Sequence, residues 1–591
     1  MAVQRENYEE VSSDVLVIGA GGAGMRGAIA AADHGMKVQV VCKSLLGKAH
    51  TVMAEGGMAA ALGNVAAPDS WKAHFADTMK GGKLLNNWRM AQIHATEAPD
   101  RVRELERWGA IFDRTAKGLI HQRPFGGHTY PRLAHIGDRT GLELIRALQD
   151  KLVHTAGVDV HMEVTVSRLL VRDGRAVGAV AYSRHDGRVI VYHAKAILLA
   201  SGGLGKIYRV TSNSWESTGD GTALAYEAGA LLQDCEMVQF HPTGMIWPPG
   251  VRGILVTEGV RGEGGLLRNN QGERFMEKYD PERMELSTRD VVARAINQEV
   301  NEGRGSPHGG AYLDISHKPA EFVKRKLPSM YEQFHKLADV DITKEPMEVA
   351  PTIHYAMSGV RVEPETGAST IEGLFAAGEV SCGLHGANRL GGNSLSDLLV
   401  FGKRAGDGAA AYASNGRTPG PPEKGQVIEA IDYTFSPLER SNANSAAESP
   451  FQLHAELQDV MTRYAPIIRE EKGLKVGLGK VQDLVERSAR AGTGGPNGKN
   501  FNPGWHAALD LQSMVNNAHA LFLGAIERRE SRGAHTRSDY PELDEELGKV
   551  NFVVRKDGSE MKLDSMAKEP IPGELVQVIE TKYTQEYTRE D

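Results

Sequence analysis

A glycine-rich turn joins a short apolar strand to a helix near the start of this chain. Residues 14–43 read as a strand, a turn, a helix and a second strand, with Gly19, Gly21 and Gly24 in the turn. Bare backbone N–H groups at a helix N-terminus can bind a pyrophosphate there. This β-α-β unit predicts an α/β fold that binds a nucleotide.

The second strand lacks one part of the general dinucleotide fingerprint. An acidic residue usually follows that strand and binds the ribose, whereas Cys42, Lys43 and Ser44 stand here. A second element, EGLFAAGE at 372–379, places a small-residue turn and Glu379 after an apolar strand, as flavoproteins do. The two elements together favour FAD over a nicotinamide cofactor.

Composition narrows the class of protein. The 591 residues carry a formal net charge of −8 with 24% charged and 41% hydrophobic residues, which argues against a nucleic-acid-binding surface and against disorder. Cys42, Cys235 and Cys382 form no C-x-x-C pair, so they cannot hold an iron–sulfur or zinc site alone. We therefore expect no metal site in this chain and any metal centre in a partner.

No apolar run approaches the roughly 20 residues of a membrane helix. The N-terminal MAVQRENYEEVSS resembles neither a secretory signal nor a transit peptide. We expect a cytoplasmic protein whose membrane contact, if any, comes through partners.

The rest of the chain indicates several folding units. We expect β-rich segments at 158–171, 176–183 and 189–200 and a helix near 221–232. Pro/Gly-rich stretches at 414–425 and 493–504 predict a linker and a break between helices. Asp557-Gly558 predicts a hairpin. One predicted helix face carries Leu511, Val515, Ala518, Phe522 and Ile526.

The most specific signal is a series of motifs in a fixed order. The series is KAHTVMAEGGMAAAL at 48–62, HQRPFGGH at 121–128, TGDGTALAYEAGA at 218–230, QFHPTG at 239–244, VTEGVRGEGG at 256–265, STRDVVAR at 287–294, PTIHYAMSGV at 351–360, HGANRLGGNSLSDLLVFG at 385–402 and ERRESRGAHTRSDYP at 527–541. Over about residues 12–541 the chain thus resembles the bacterial flavoprotein subunit of succinate dehydrogenase and fumarate reductase.

This resemblance implies a domain plan. It implies an α/β fold in which a Rossmann-like FAD-binding domain carries an inserted α+β capping domain and is followed by a helical domain and a small C-terminal domain. The implied ranges are 1–240 and 355–420 for the discontinuous FAD-binding domain, 241–354 for the capping domain, 430–540 for the helical domain and 541–591 for the C-terminal domain.

The resemblance also implies a covalent flavin. His50 would bond through a ring nitrogen to the 8-methyl carbon of the isoalloxazine, which raises the flavin potential and suits removal of hydrogen from a saturated C–C bond. The noncovalent FAD contacts implied by position are Gly19, Gly21, Gly24, Lys43, Ser44, Thr51, Gly56, Gly57, Asp220, Glu379, Ser394 and Leu395.

A four-carbon dicarboxylate needs a cationic donor at each end, and guanidinium groups suit carboxylates. By resemblance, His354 and Arg389 bind one carboxylate. His241 and Thr257 lie around the other, and Phe125 forms an apolar wall.

The catalytic group is also implied by resemblance. Arg289 would exchange a proton with the substrate carbon, and Glu258, which also lies beside the second carboxylate, would form its proton relay with Arg261. Arginine is an unusual base because its pKa is above about 12. Burial beside another cation would favour loss of its proton.

The family implies partners: an iron–sulfur subunit that accepts single electrons, and one or more membrane anchor subunits with a quinone. The chain would then be peripheral on the cytoplasmic side of the inner (plasma) membrane. Residues 530–541 either approach the flavin domain or a partner, or pack as a loop on their own chain.

Three hypotheses stay open. The first is a succinate dehydrogenase flavoprotein, which can also run as fumarate reductase with succinate and fumarate at one site. The second is a soluble L-aspartate oxidase, against which His50 argues because that relative binds FAD noncovalently. The third is a non-catalytic FAD-binding scaffold, against which the joint presence of Arg289, His354 and Arg389 argues.

Overall fold

The computed structural model describes residues 7–416, 420–443, 447–495 and 498–584. The strands are β1 (Glu9–Ile18), β2 (Val38–Val41), β3 (Met58–Ala59), β4 (Gln122–Arg123), β5 (Leu133–Ala134), β6 (Val158–His161), β7 (Val164–Arg172), β8 (Arg175–Ser183), β9 (Val189–Leu199), β10 (Leu232–Gln233), β11 (Val238–Met245), β12 (Leu266–Arg268), β13 (Ala311–Asp314), β14 (Met347–Ala356), β15 (Gly359–Val360), β16 (Leu374–Ala376), β17 (Ile468–Arg469), β18 (Thr536–Arg537), β19 (Val550–Asp557) and β20 (Glu560–Ala567).

The α-helices are α1 (Gly22–Asp33), α2 (Trp71–Gly81), α3 (Trp88–Arg107), α4 (Thr140–Val153), α5 (Asp220–Glu227), α6 (Gly259–Gly262), α7 (Met276–Tyr279), α8 (Arg289–Asn301), α9 (Ala320–Lys326), α10 (Pro328–Ala338), α11 (Asn393–Ser414), α12 (Lys424–Ala443), α13 (Pro450–Tyr464), α14 (Glu471–Arg490), α15 (Pro503–Glu527) and α16 (Gly573–Glu580).

The predicted β-α-β unit forms the middle of the main sheet. Strand β1 pairs in parallel with β2 and β9, in the order β6-β2-β1-β9-β8-β7, and β16 also pairs with β9. Val15 and Val17 pack on the face that α1 and α11 cover, whereas Leu16 and Ile18 pack on the other face. Burial on both faces explains why β1 reads as an apolar run.

Two glycines let α1 lie close to the end of β1. A Cβ on Gly24 would lie 1.9 Å from the carbonyl oxygen of Gly19, and a Cβ on Gly19 would lie 2.3 Å from that of Ala200. Gly19 also has a φ of +112°, which favours glycine. The helix N-terminus therefore faces the carboxyl edge of the sheet, where open α/β sheets bind ligands.

The three β-rich segments predicted in the middle of the chain are present as β6 to β9. The helix expected near 221–232 is shorter and ends at Glu227. Gly229, with a φ of +93°, turns the chain there, and β10 follows. The predicted helix length was therefore wrong at its C-terminal end.

A second sheet is inserted between β9 and β16. Strands β11, β14, β13 and β12 form a four-stranded antiparallel sheet in that order. Its own core includes Met245, Leu313 and Val349, packed with residues of α8 such as Ile296. The proposed capping domain falls within this insertion, although its limits at 241 and 354 remain a prediction.

The helical region packs as expected from its periodicity. Helices α13, α14 and α15 contact one another. On α15 the side chains Leu511, Val515, Ala518 and Phe522 are buried in one cluster, and Ile526 packs partly buried against it. Of the two predicted breaks, 414–425 lies between α11 and α12 and 493–504 between α14 and α15, and residues 417–419 and 496–497 fall outside the described residues.

The end of the chain joins the body of the protein. The predicted hairpin is confirmed, since β19 and β20 pair around Gly558. Strand β19 also pairs with β10. Residues 1–6 and 585–591 of the predicted terminal domains lie outside the described residues.

Residues 530–541 pack on their own chain. Arg528 donates to Glu236 at 2.5 Å and to Glu530 at 3.1 Å. Arg532 donates to Glu530 at 2.8 Å, and His535 is fully buried. Arg532 also donates to the Lys83 carbonyl at 2.8 Å, and the Ala534 N–H to the Ala387 carbonyl at 2.9 Å. The segment therefore packs on its own chain and contacts residues of the proposed FAD-binding domain, whereas contact with a partner stays a prediction.

Among the helices that the structure describes, none is both long and apolar enough to cross a membrane.

Candidate active site

One cavity at the carboxyl edge of the main sheet collects most of the predicted site residues. It encloses about 1710 Å³ including its open mouth. The predicted residues that line it are Gly19, Gly21, Lys43, Ser44, His50, Thr51, Gly56, Gly57, Phe125, Asp220, His241, Thr257, Glu258, Arg289, His354, Glu379, Arg389, Ser394 and Leu395. Gly24 and Arg261 lie behind its wall. Their chemical roles remain predictions.

The N-terminus of α1 fits a pyrophosphate. Gly21 precedes the helix, and its first turn carries no acidic side chain. The Gly22 N–H donates to the Thr51 hydroxyl at 3.3 Å, which fixes the following loop beside the turn. The lining of the cavity continues from this turn to Arg289 and Arg389, so one cavity joins the pyrophosphate position to the predicted substrate groups.

Lys43 follows β2, where the fingerprint usually has an acid. Its Nζ lies 2.9 Å from carboxylate oxygens of Asp220 and of Asp510. Burial alone would lower the pKa of Lys43, but these two carboxylates raise it, so the ammonium stays charged. Sequence reasoning missed Asp510, which α15 of the helical region contributes. The sequence feature that could have identified Asp510 is its position between two leucines, Leu509 and Leu511, which are both buried.

His50 begins a short 3₁₀ helix, His50–Met53. The backbone N–H of Ser214 donates to its Nδ1 at 3.3 Å. Its Nε2 makes no hydrogen bond with any residue that the structure describes. Burial, with the charges of Lys206 and Arg389, lowers the pKa of His50 to about 4. At neutral pH the ring is therefore uncharged, with one nitrogen available at the cavity.

Arg389 is a buried cation that pairs with no carboxylate among the described residues. Its residue is 4% exposed, and its guanidinium carbon lies 4.3 Å above the Tyr355 ring. Within the described part of the chain the guanidinium makes no ion pair and no hydrogen bond. Burial, followed by the charge of Arg289, lowers the pKa of Arg389 to about 9. An unpaired buried charge is unfavourable, so this position calls for an anion.

His241 and His354 form an edge-to-face pair with ring centroids 5.0 Å apart. The Nδ1 of His354 lies 2.7 Å from the Ser212 hydroxyl, and the Thr243 N–H lies 3.2 Å from the Nδ1 of His241. Burial, followed by the charge of Arg289, lowers the pKa of both histidines well below the ordinary value. Both rings are therefore neutral at physiological pH.

Arg289 is the first residue of α8 and lies beside a buried acid. Its Nε donates to Oε2 of Glu258 at 2.9 Å. The other oxygen of Glu258 accepts from the Gly126 N–H at 2.7 Å. Arg261 lies next, with Nη2 at 3.6 Å from Glu258, and burial lowers the pKa of Arg261. The order Arg289, Glu258, Arg261 is thus contiguous and leads away from the cavity.

Gln239 joins the two arginines and was not predicted. Its Oε1 accepts from Nη1 of Arg289 at 3.1 Å. Its Nε2 donates to Asn388 and to the Arg389 carbonyl, at 2.8 and 2.7 Å. Because Gln239 is fully buried, this amide ties the Arg289 guanidinium to the backbone at Arg389. Gln239 is the first residue of the motif QFHPTG, but the sequence analysis assigned a role only to the histidine of that motif.

Phe125 lies against glycines on two sides. A Cβ on Gly391 would lie 2.3 Å from its ring, and one on Gly56 would lie 2.7 Å away. These glycines make room for an apolar wall beside the charged groups.

Known proteins match both halves of the chain. Residues 14–395 match a family described as the FAD binding domain, and residues 454–583 match one described as fumarate reductase flavoprotein C-term. One polypeptide of the fumarate reductase (CoM/CoB) of Methanothermobacter marburgensis is 45% identical over 94% of this chain and 98% of its own length.

Two further proteins extend the likeness. The succinate dehydrogenase flavoprotein subunit of Coxiella burnetii is 39% identical over 92% of this chain and 94% of its own length. The solved structure of Mycobacterium smegmatis Sdh1 in complex with UQ1 is 52% identical, with a TM-score of 0.85, and the match covers 95% of each chain.

This chain belongs to the succinate dehydrogenase and fumarate reductase flavoprotein family. The family and the mixed α/β fold class inferred from the motif series are confirmed. As a family member the chain is an oxidoreductase, and its FAD-binding domain supports FAD as the cofactor.

The flavoprotein has further cavity residues that sequence reasoning missed. They are Val164–Val166 at the start of β7, the segment 201–203 after β9, and Ser212. Each belongs to a strand end or a loop that no local motif marked. Val164, for example, lies at the carboxyl end of β2 because its N–H donates to the Cys42 carbonyl at 3.0 Å, a tertiary contact that no local pattern indicates.

Proposed function

We propose that this flavoprotein is the catalytic subunit of a succinate:quinone oxidoreductase that oxidises succinate to fumarate. The observation that carries the proposal is Arg389, a buried guanidinium at the cavity wall that no carboxylate of the described residues pairs with. A carboxylate would supply a counterion and accept paired hydrogen bonds from it.

The two ends of a dicarboxylate would contact different groups. His354 and Arg389 bind one carboxylate, and His241 and Thr257 bind the other. The 5.0 Å between the centroids of the two histidine rings supports this arrangement, because it is within the span of one short dicarboxylate. Charge-assisted hydrogen bonds contribute about 1.5–3 kcal/mol each.

Arg289 is proposed to exchange the proton of the substrate carbon. Two of its nitrogens are engaged, Nε by Glu258 and Nη1 by Gln239, so Nη2 is the nitrogen that remains for substrate. Glu258 and Arg261 then relay the proton away from the cavity. Bound FAD supplies the acceptor for the other hydrogen and its two electrons.

The flavin is proposed to be attached to His50. The Ser214 N–H at Nδ1 fixes the lone pair of the neutral ring there and its N–H on Nε2, which has no hydrogen-bonding partner among the described residues. Nε2 would release this proton as the bond to the flavin forms. A soluble L-aspartate oxidase would bind FAD noncovalently, so attachment separates the two hypotheses.

An iron–sulfur subunit is proposed to take the electrons, and a membrane anchor with a quinone to receive them. The rim of the cavity includes Leu45 and Met53, both 47% exposed, which offer an apolar surface near His50. The Mycobacterium smegmatis relative was solved with UQ1. The chain would then be peripheral on the cytoplasmic side of the inner (plasma) membrane.

Fumarate reduction is the second candidate, because the same groups serve both directions. The name of the Methanothermobacter marburgensis relative favours it. The direction would follow from the potentials of the flavin and its partners.

The test is anaerobic mixing of the purified flavoprotein with succinate or L-aspartate, followed by flavin absorbance. Succinate should bleach the flavin and L-aspartate should not. Arg389→Gln should raise the succinate KM by about tenfold or more, while the surface variant Arg188→Gln, at a side chain 57% exposed, should not change it. Bleaching by L-aspartate alone would overturn the proposal.

A further inference from the structure

The loop 211–214 contacts two imidazoles of the cavity. The Ser214 N–H donates to His50, and the Ser212 hydroxyl lies 2.7 Å from the Nδ1 of His354. The Asn213 side chain donates to the His354 carbonyl at 2.8 Å, which holds the loop against β14. Among the described residues, Ser212 is the one hydrogen-bonding partner at this Nδ1.

The hydroxyl proton of Ser212 has two acceptors within reach, the Nδ1 of His354 and the Ile353 carbonyl at 3.2 Å. That carbonyl already accepts the Ser212 N–H at 2.9 Å and the Thr211 hydroxyl at 3.2 Å. A carbonyl oxygen has two lone pairs, which these two donors fill. The Ser212 hydroxyl proton is therefore free to point to the imidazole, which is also nearer.

We propose that Ser212 is a positioning residue that sets the tautomer of His354, because its hydroxyl donates to Nδ1 and so leaves the ring N–H on Nε2. A neutral imidazole has a single N–H. With that N–H on Nε2, the ring can donate to a carboxylate. The opposite tautomer would present a lone pair to the anion and repel it. The inference rests on the proposed binding of a dicarboxylate at this site.

Binding of malonate, a nonreacting dicarboxylate, tests the proposal in the flavin-loaded protein through flavin absorbance. Ser212→Ala should raise the malonate Kd about tenfold, the loss of one hydrogen bond to the ligand-binding ring. Ser212→Thr keeps the hydroxyl and should stay within about twofold, and Ser212→Cys, a weaker donor, should lie between. Ser369→Ala is the control, since it removes a serine hydroxyl that bonds a backbone carbonyl, that of Ile371, away from the residues that line the cavity.

A double-mutant cycle separates tautomer control from general damage to the loop. In a His354→Gln background, Ser212→Ala should add less than about twofold, because the ring it acts through is gone. Unchanged affinity in Ser212→Ala, or a full additional loss in the cycle, would overturn the tautomer proposal alone. Failure of the unmutated protein to bind malonate and succinate would overturn the dicarboxylate function and this inference with it.

Discussion

The Nε of Arg289 lies 2.9 Å from Oε2 of Glu258, and the two side chains are 7% and 1% exposed. In the proposed oxidation, a proton that Arg289 takes from succinate would pass to this adjacent carboxylate. Arg261, at 3.6 Å from the same oxygen, is the next charged group behind it. The three groups form a buried path that leads from the cavity wall into the protein.

Replacing Arg289 should remove catalysis without removing the cofactor. Arg289→Ala should lower the rate of succinate oxidation by about 100-fold or more, the usual contribution of a positioned acid or base. Flavin absorbance of the purified variant should be unchanged. Arg268→Ala, at a half-exposed arginine of the capping sheet, is the control and should keep full turnover. Turnover retained in Arg289→Ala would remove this residue from the proton path.

Replacing His50 should abolish covalent attachment of FAD but keep its noncovalent binding. His50→Ser should hold FAD noncovalently, so that fluorescence leaves the polypeptide on a denaturing gel. Succinate oxidation should fall more than fumarate reduction, because the flavin potential falls with loss of the bond. His34→Ser, at an exposed position, should keep the fluorescent band. A fluorescent band in His50→Ser would place the attachment elsewhere.

Much of this site could be predicted because its groups are carried by short motifs that the main sheet brings to one edge. His241, His354, Arg289 and Arg389 are of this kind. The motif order identified them, and the cavity collects them. Contacts made by tertiary packing alone could not be predicted. Asp510 of α15 pairs with Lys43, but the periodicity of this helix predicted only its buried apolar face.

In the fold, too, local elements could be predicted and contacts between distant segments could not. Glycine spacing predicted the β1-α1-β2 unit, and alternation predicted the strands β7 to β9. The pairing of β19 with β10 was not predicted, because it joins segments far apart in the chain. Helix α5 ends early because of a single glycine, Gly229, and the spacing of apolar residues does not predict such a turn.

Removing Asp510 should loosen the attachment of the helical region to the FAD-binding sheet. Asp510→Asn leaves Lys43 with Asp220 as its carboxylate partner, and the free energy of unfolding should fall by about 1–3 kcal/mol. Urea unfolding followed by circular dichroism measures this change. The matched control is Asp483→Asn on α14, at a side chain 59% exposed, with an expected change within about 0.5 kcal/mol. Equal stability of the two variants would contradict the structural role of Asp510.

The stability of the cofactor-free protein should depend on Glu379. Burial raises the pKa of this carboxyl from 4.5 to about 7. Between these two values the folded state binds a proton that the unfolded state has released, so stability falls as pH rises through about 7. The loss should be on the order of 3 kcal/mol.

Thermal unfolding of the cofactor-free protein at pH 5, 6, 7 and 8 measures this effect. Glu379→Gln should flatten the curve over this range, since the amide does not titrate. The unmutated protein and Glu379→Gln should differ most above pH 7, with the variant more stable. Parallel curves for the two proteins would show that Glu379 does not titrate in this window.

The loop 211–214 couples the attachment of the flavin to the binding of the substrate. Its backbone meets the ring proposed to carry the cofactor, and its Ser212 side chain meets the ring proposed to grip the substrate. A change in this loop that improves one step must also be tolerated by the other. Substitutions in this loop that adapt His354 to a new substrate would therefore be retained in evolution only if the protein can still attach its flavin.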